Sequence, residues 1–98
     1  MTVQRLASLL VTAYSYIVQR VEKLFARAHA NPAGLSFAEF EALMRAKRWI
    51  FKRQKGSHRM WAWPAGYLLP IQKSGRHAKE YQVKQFLLRL EKEEPGIG

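Results

Sequence analysis

The feature that most limits what this chain can fold into is a change of apolar period at Lys47. Upstream, Phe37, Phe40, Leu43 and Met44 recur at steps of three and four, the spacing of one helix face. Downstream, Trp49, Phe51 and Arg53 alternate with Ile50, Lys52 and Gln54, and Arg59, Trp61 and Trp63 alternate with His58, Met60 and Ala62. That is the spacing of two strands, joined at Lys55-Gly56. Trp63-Pro64-Ala65-Gly66 puts Pro and Gly where a tight turn wants them, so Tyr67 to Ile71 is expected to return as a third strand ending near Pro70. A three-stranded antiparallel meander packed against helices is an α+β fold, and helices on one face leave the other face or the turn edge open to a partner.

The helices carry their own punctuation. Ser36 and Glu39 have the spacing of a capping box, and Leu35 just before the cap can staple onto Phe40. Val83, Phe86, Leu87 and Leu90 mark a final helix stopped by Pro95 and Gly96, with a basic loop expected over residues 72–78. Residues 1–30 predict one long amphipathic helix, because Val3, Leu6, Leu10, Ala13, Ile17, Val21, Leu24 and Ala28 keep a single face apolar. Asn31-Pro32-Ala33-Gly34 ends it. The chain of 98 residues therefore divides into an N-terminal helical extension, 1–30, and one small domain, 35–94.

The extension is not a membrane span, since its apolar stretch from Leu6 to Val18 is short and interrupted by Ser8, Thr12 and Ser15. Ala26-Arg27-Ala28-His29-Ala30 imitates a signal-peptide cleavage site, but Arg20, Glu22, Lys23 and Arg27 stand in the way. The absence of cysteine removes disulfides and thiolate chemistry and suits a reducing, cytoplasmic compartment.

The net charge of +10 is concentrated. Between Ala42 and Lys79 lie Arg45, Lys47, Arg48, Lys52, Arg53, Lys55, Arg59, Lys73, Arg76 and Lys79 with no carboxylate among them, while the rest of the chain is balanced. A block of one sign repels itself unless a polyanion neutralises it, which points to nucleic acid, an anionic membrane surface or an acidic protein.

Hydrolytic chemistry is narrowed by what is missing. With no Asp and no Cys, a Ser-His-Asp triad and a Cys-His pair cannot be built. No metal or cofactor site is expected, because Glu39 and Glu41 point to different sides of their helix and His29, His58 and His77 are scattered. Acid–base work on RNA remains, with the 2′-hydroxyl as nucleophile and a histidine near neutrality as general base. His58 follows the turn Gly56-Ser57, whose amides add donors. Arg53, Lys55 and Arg59 can hold phosphate, with Arg76 as a further cation. Trp61 or Tyr67 is the candidate for base stacking, although a chain this short also needs large residues for its core. On these residues alone, a lone histidine at a strand start beside cations is more often a binding or structural residue than a catalytic one, which would make His58 one more part of a non-catalytic phosphate grip.

The segment from Leu35 to Leu90 resembles the HicA family of toxins, the RNA-cleaving partners in HicA and HicB toxin–antitoxin pairs. The resemblance rests on the helix leading to Trp49, on Arg53-Gln54-Lys55-Gly56-Ser57-His58, on the aromatic strand and turn, on the strand ending at Pro70, and on Tyr81-Gln82-Val83-Lys84-Gln85-Phe86-Leu87. It implies a fold similar to double-stranded RNA-binding domains, endonucleolytic cleavage of mRNA with His58 as the catalytic residue, and an acidic HicB-like antitoxin over the basic site. Family members commonly carry Gly at the corner where this chain has Arg48. The helix of residues 1–30 lies outside the shorter members and is expected to cap the domain, to join copies into a homo-oligomer, or to dock the antitoxin.

Overall fold

The computed structural model describes residues 2–93. Its elements are α1 (Val3–Ala30), a short 3-10 turn (Pro32–Gly34), α2 (Phe37–Ala46), β1 (Ile50–Lys55), β2 (His58–Ala62), β3 (Leu68–Ile71), β4 (Lys73–Ser74), β5 (His77–Ala78) and α3 (Glu80–Glu93). The expected stop at Pro95 and Gly96 lies outside the described residues. The α+β class holds, with β1-β2-β3 as an antiparallel meander. Residues 72–78, expected as a loop, instead fold back as the β4–β5 hairpin. Gly75 takes its turn at φ 64°, and the hairpin docks on the start of α2 through Phe37 N–H to Arg76 C=O at 2.9 Å and Ala78 N–H to Leu35 C=O at 3.1 Å.

Helix α2 is framed by sequence-encoded caps. Glu39 N–H donates to Ser36 Oγ at 3.0 Å, Ser36 N–H donates to Glu39 Oε1 at 2.9 Å, and the staple residues Leu35 and Phe40 are both fully buried. At the other end Trp49 N–H bonds Met44 C=O at 3.0 Å and Arg48 N–H bonds Arg45 C=O at 3.0 Å, the Schellman pattern. Its left-handed residue is Arg48, at φ 72°. A residue with a Cβ makes the corner that glycine usually makes.

The core joins Phe40, Leu43 and Met44 of α2, Trp61, Leu69 and Ile71 of the sheet, and Val83, Phe86 and Leu90 of α3. Phe86 sits at its centre, edge-on to Phe40 and to Trp49 with both centroids at 5.6 Å. Only the last turns of α1 reach it: Ala28 is buried there, and Leu24 and Phe25 pack alongside. These turns belong to the domain, and Arg27 pins them to α2 by an ion pair with Glu39 at 2.8 Å. From residue 3 to residue 20 the helix stands clear of it. The radius of gyration accordingly reaches 15.6 Å, against about 13 Å for a compact chain of this length.

Candidate functional site

Directly opposed residues in an antiparallel pair share a face, so the register sorts the hairpin. Phe51, Trp61 and Leu69 form one row, and Gln54, Arg59 and Ile71 another; the burial of Trp61, Leu69 and Ile71 shows that these rows face the helices. The alternate rows are Ile50 with Ala62 and Leu68, Arg53 with Met60 and Pro70, and Lys55 with His58. They form the open face, on which Ala62 is buried and Met60 half-buried while the others are exposed. A bulge between Phe51 and Arg53 is what puts Arg53 and Lys55 there. Uninterrupted alternation from Phe51 would send both toward the helices, and the extra residue, Lys52, reverses the phase.

The Lys55–His58 pair is closed by a two-residue turn. Gly56 has φ 61° and Ser57 is not left-handed, as the first and second central positions of a type II′ turn require. A Cβ at Gly56 would meet nothing within 4 Å, so the demand for glycine comes from the backbone angle and not from crowding. Gln54 Nε2 donates to Gly56 C=O at 3.1 Å. Gln72 Nε2 donates to Ser57 Oγ at 2.9 Å, while Lys79 Nζ donates to Gln72 Oε1 at 3.0 Å. The backbone N–H of Gln72 is held in turn by the buried Gln82 of α3, at 2.9 Å. The turn is thus tied through two glutamines to a helix in the core. Gln72 and Gln82 had no place in the sequence-based site. The available signal was a polar residue, Gln82, four positions before Phe86 on the apolar stripe of α3.

Of the expected site residues, Arg53, Lys55, Gly56, Ser57 and His58 come together on one exposed hairpin. Among the described residues the side chains of Lys55 and His58 have no hydrogen-bond or ion-pair partner. Three other expectations change. Trp61 is fully buried and donates its indole N–H to Glu41 Oε2 at 3.0 Å, so it is a core residue and cannot stack a base. Arg59 faces the helices, where it pairs with Glu41, donates to Gln54 Oε1 at 3.2 Å and lies 4.0 Å above the Phe51 ring. Its charge is compensated and is not offered to a phosphate on the open face. Tyr67 is half-buried, with Trp49 edge-on at 6.1 Å and the Arg89 guanidinium 3.6 Å above its ring, which occupies one stacking face. Arg76 is exposed on the β4–β5 turn, a separate hairpin.

On the helix-facing side of the same turn lies a polar cavity of about 460 Å³ lined by Phe37, Glu41, Gln54, Ser57, Arg59, Gln72 and Lys73. Glu39 and Glu41 are each committed to an arginine, Arg27 and Arg59 respectively. Among the described residues no three His, Cys, Asp or Glu side chains converge as a metal site would need. An unpartnered imidazole beside an ammonium and the amides of a tight turn has the elements to take a proton from a hydroxyl while positive charge holds an adjacent phosphate. None of the helices among the described residues is long and apolar enough to cross a membrane. The chain matches no protein-family model, no curated protein and no solved structure.

Proposed function

We propose that this protein is a metal-independent endoribonuclease of the HicA type, the toxin of a toxin–antitoxin pair, acting on mRNA in the cytoplasm. The observation that carries the reading is the Lys55–His58 pair, set face to face on the open side of the sheet at the end of a type II′ turn. The order α2, three-stranded meander, α3, with the β4–β5 hairpin inserted before α3, supports a fold like that of double-stranded RNA-binding domains.

In this reading the neutral imidazole of His58 removes the proton from a ribose 2′-hydroxyl. The 2′-oxygen attacks the adjacent phosphorus, and the bond to the departing 5′-oxygen breaks, that oxygen taking a proton from water. The products are a 2′,3′-cyclic phosphate and a 5′-hydroxyl, and the imidazolium returns its proton to solvent. Lys55 and Arg53 hold the non-bridging oxygens as charge builds on them. The N–H groups of Gly56 and Ser57 add donors without side-chain obstruction. An acidic antitoxin of the HicB kind would cover the same face, matching its charge and burying Ile50 and Leu68, which are exposed at the far end of the open rows.

The test is end-labelled RNA in excess chelator, with wild type and His58→Ala assayed for cleavage and retention in the same samples. Cleavage by wild type to a cyclic phosphate, with a variant that binds and does not cut, is the expected result. Equal retention with no cleavage by either protein makes the face a non-catalytic RNA-binding surface and replaces the ribonuclease reading.

A further inference from the structure

The apolar stripe of α1 does not stop where the domain stops. Beyond the turns that pack on the core it continues to the start of the helix, with Val3 85% exposed, Leu10 65% and Ile17 59%. From residue 3 to residue 19 the only charge is Arg5. A contiguous apolar face of this kind marks an interaction surface.

Where α1 meets α2 there is a complementary feature. A groove of about 690 Å³ runs between them, floored by Ile17, Val21 and Leu24 on one side and by Ala38 and Ala42 on the other. The two alanines, four residues apart on α2, leave the space that a third helix would fill. Arg20, Lys23 and Glu39 form a polar rim.

We propose that two copies of the chain form a twofold dimer in which the free half of each α1 lies antiparallel in the α1–α2 groove of the other. The spacing of the stripe fixes the register. Positions 3, 6 and 10 mirror positions 24, 21 and 17 about the midpoint between 13 and 14. In an antiparallel pair centred there, Val3, Leu6 and Leu10 of one copy meet Leu24, Val21 and Ile17 of the second, and those three residues are the α1 wall of its groove. Ala13 and Tyr14 fall at the twofold axis. Both grooves fill at once, so the assembly is closed and isologous. Parallel pairing would set Val3 against Val3 and leave both grooves empty. A membrane-surface helix would carry a row of lysines and arginines on its polar face, whereas here that face is Gln4, Ser8, Thr12, Ser15 and Gln19. An unrelated partner protein would give no reason for the mirrored spacing. The groove lies on the helical side of the domain, so dimerisation leaves the open sheet face of each copy free and does not depend on what that face does.

Sedimentation velocity on the full chain across a concentration range provides the test. Wild type is expected as a dimer, and Leu6→Glu/Leu10→Glu as a monomer with an unchanged near-ultraviolet signal from its core tryptophans, since both substituted residues are exposed. The chain has no cysteine of its own, so introduced pairs report the register. Leu6→Cys/Val21→Cys is expected to give covalent dimers with a short bismaleimide. Leu6→Cys alone gives none, because the two copies of position 6 stand about 22 Å apart along the axis. The proposal fails if wild type is monomeric throughout, if the dimer survives Leu6→Glu/Leu10→Glu, or if Leu6→Cys alone cross-links. It fails equally if monomers bind vesicles of anionic phospholipid through α1.

Discussion

Glu41 of α2 and Arg59 of β2 form the ion pair that locks the hairpin to the helical layer. The same carboxylate oxygen, Oε2, also accepts the indole N–H of the buried Trp61 at 3.0 Å. The pair keeps 25% exposure on the arginine side chain and 12% on the carboxylate, so it is only partly screened by water. Replacing Glu41 by alanine strands a guanidinium and a buried indole donor together, at a cost of about 2–4 kcal/mol. Urea unfolding of Glu41→Ala is expected to show a midpoint lowered by that cost divided by the m-value, with the m-value itself unchanged.

The same pair separates Arg59, a cation that holds the fold, from Arg53 and Lys55, the cations on the open face. If RNA is gripped on the open face, Lys55→Ala and Arg53→Ala each lower the salt-dependence slope of retention by about 0.7, the value for one phosphate contact on a single strand. Arg59→Ala leaves that slope unchanged, because Glu41 already neutralises the charge. Filter retention across a salt series distinguishes the two groups.

How much of this was legible in the sequence depends on how local the cause is. The capping box of α2 lies within four residues, Ser36 to Glu39, and could be read directly. The left-handed corner could be located too, because the helical period fails at Lys47 and Arg48 is the residue that follows. Trp61 was grouped with Arg59 and Trp63 by alternation, but which group faced the helices depends on what α2 and α3 present to the sheet. The bulge at Lys52 had no sequence signal. It is a mismatch between two strands, visible only when both are paired, and it decides that Arg53 and Lys55 stand beside His58.

Deleting Lys52 tests that last point. The deletion removes the bulge, and simple alternation from Phe51 then leaves Arg53 opposite Met60 and Lys55 opposite His58, still on the open face. If RNA is gripped on the open face, the deletion variant is expected to retain it as well as Lys52→Ala does, and a fall to the level of a double Arg53→Ala/Lys55→Ala protein would show that the bulge does more than set the phase. Lys52→Ala, which keeps the extra residue, is expected to lose no more than the slope of a single contact. The side-by-side salt series measures both.

Arg48 offers a gain of stability. A left-handed conformation costs a residue with a Cβ roughly 1–2 kcal/mol, and Arg48 sits there at φ 72° as the closing residue of a Schellman motif. Glycine removes that strain but adds chain entropy to the unfolded state, which offsets part of the gain. Arg48→Gly is expected to be more stable by up to about 1 kcal/mol, a rise in melting temperature of roughly 4–8 °C for a chain of this size. Arg48→Ala, which removes the charge and keeps the Cβ, does not reproduce it, and thermal melts of the two variants settle the cause.

Glu39 makes the junction of α1 with α2 dependent on pH. The Arg27 guanidinium, and then the backbone N–H of Ser36, hold its carboxyl below the ordinary carboxylate range. A carboxyl that is more acidic in the folded chain than in the unfolded one contributes stability above its unfolded pKa. That contribution disappears as the pH falls through the lower, folded pKa. Glu39→Gln keeps a side-chain oxygen for the capping box but removes the charge that Arg27 meets. Wild type is therefore expected to exceed Glu39→Gln in urea midpoint at neutral pH, and the two curves should converge at pH values below the ordinary carboxylate range. A gap that persists unchanged into strong acid would mean that the amide substitution disturbs the cap itself and not the ion pair.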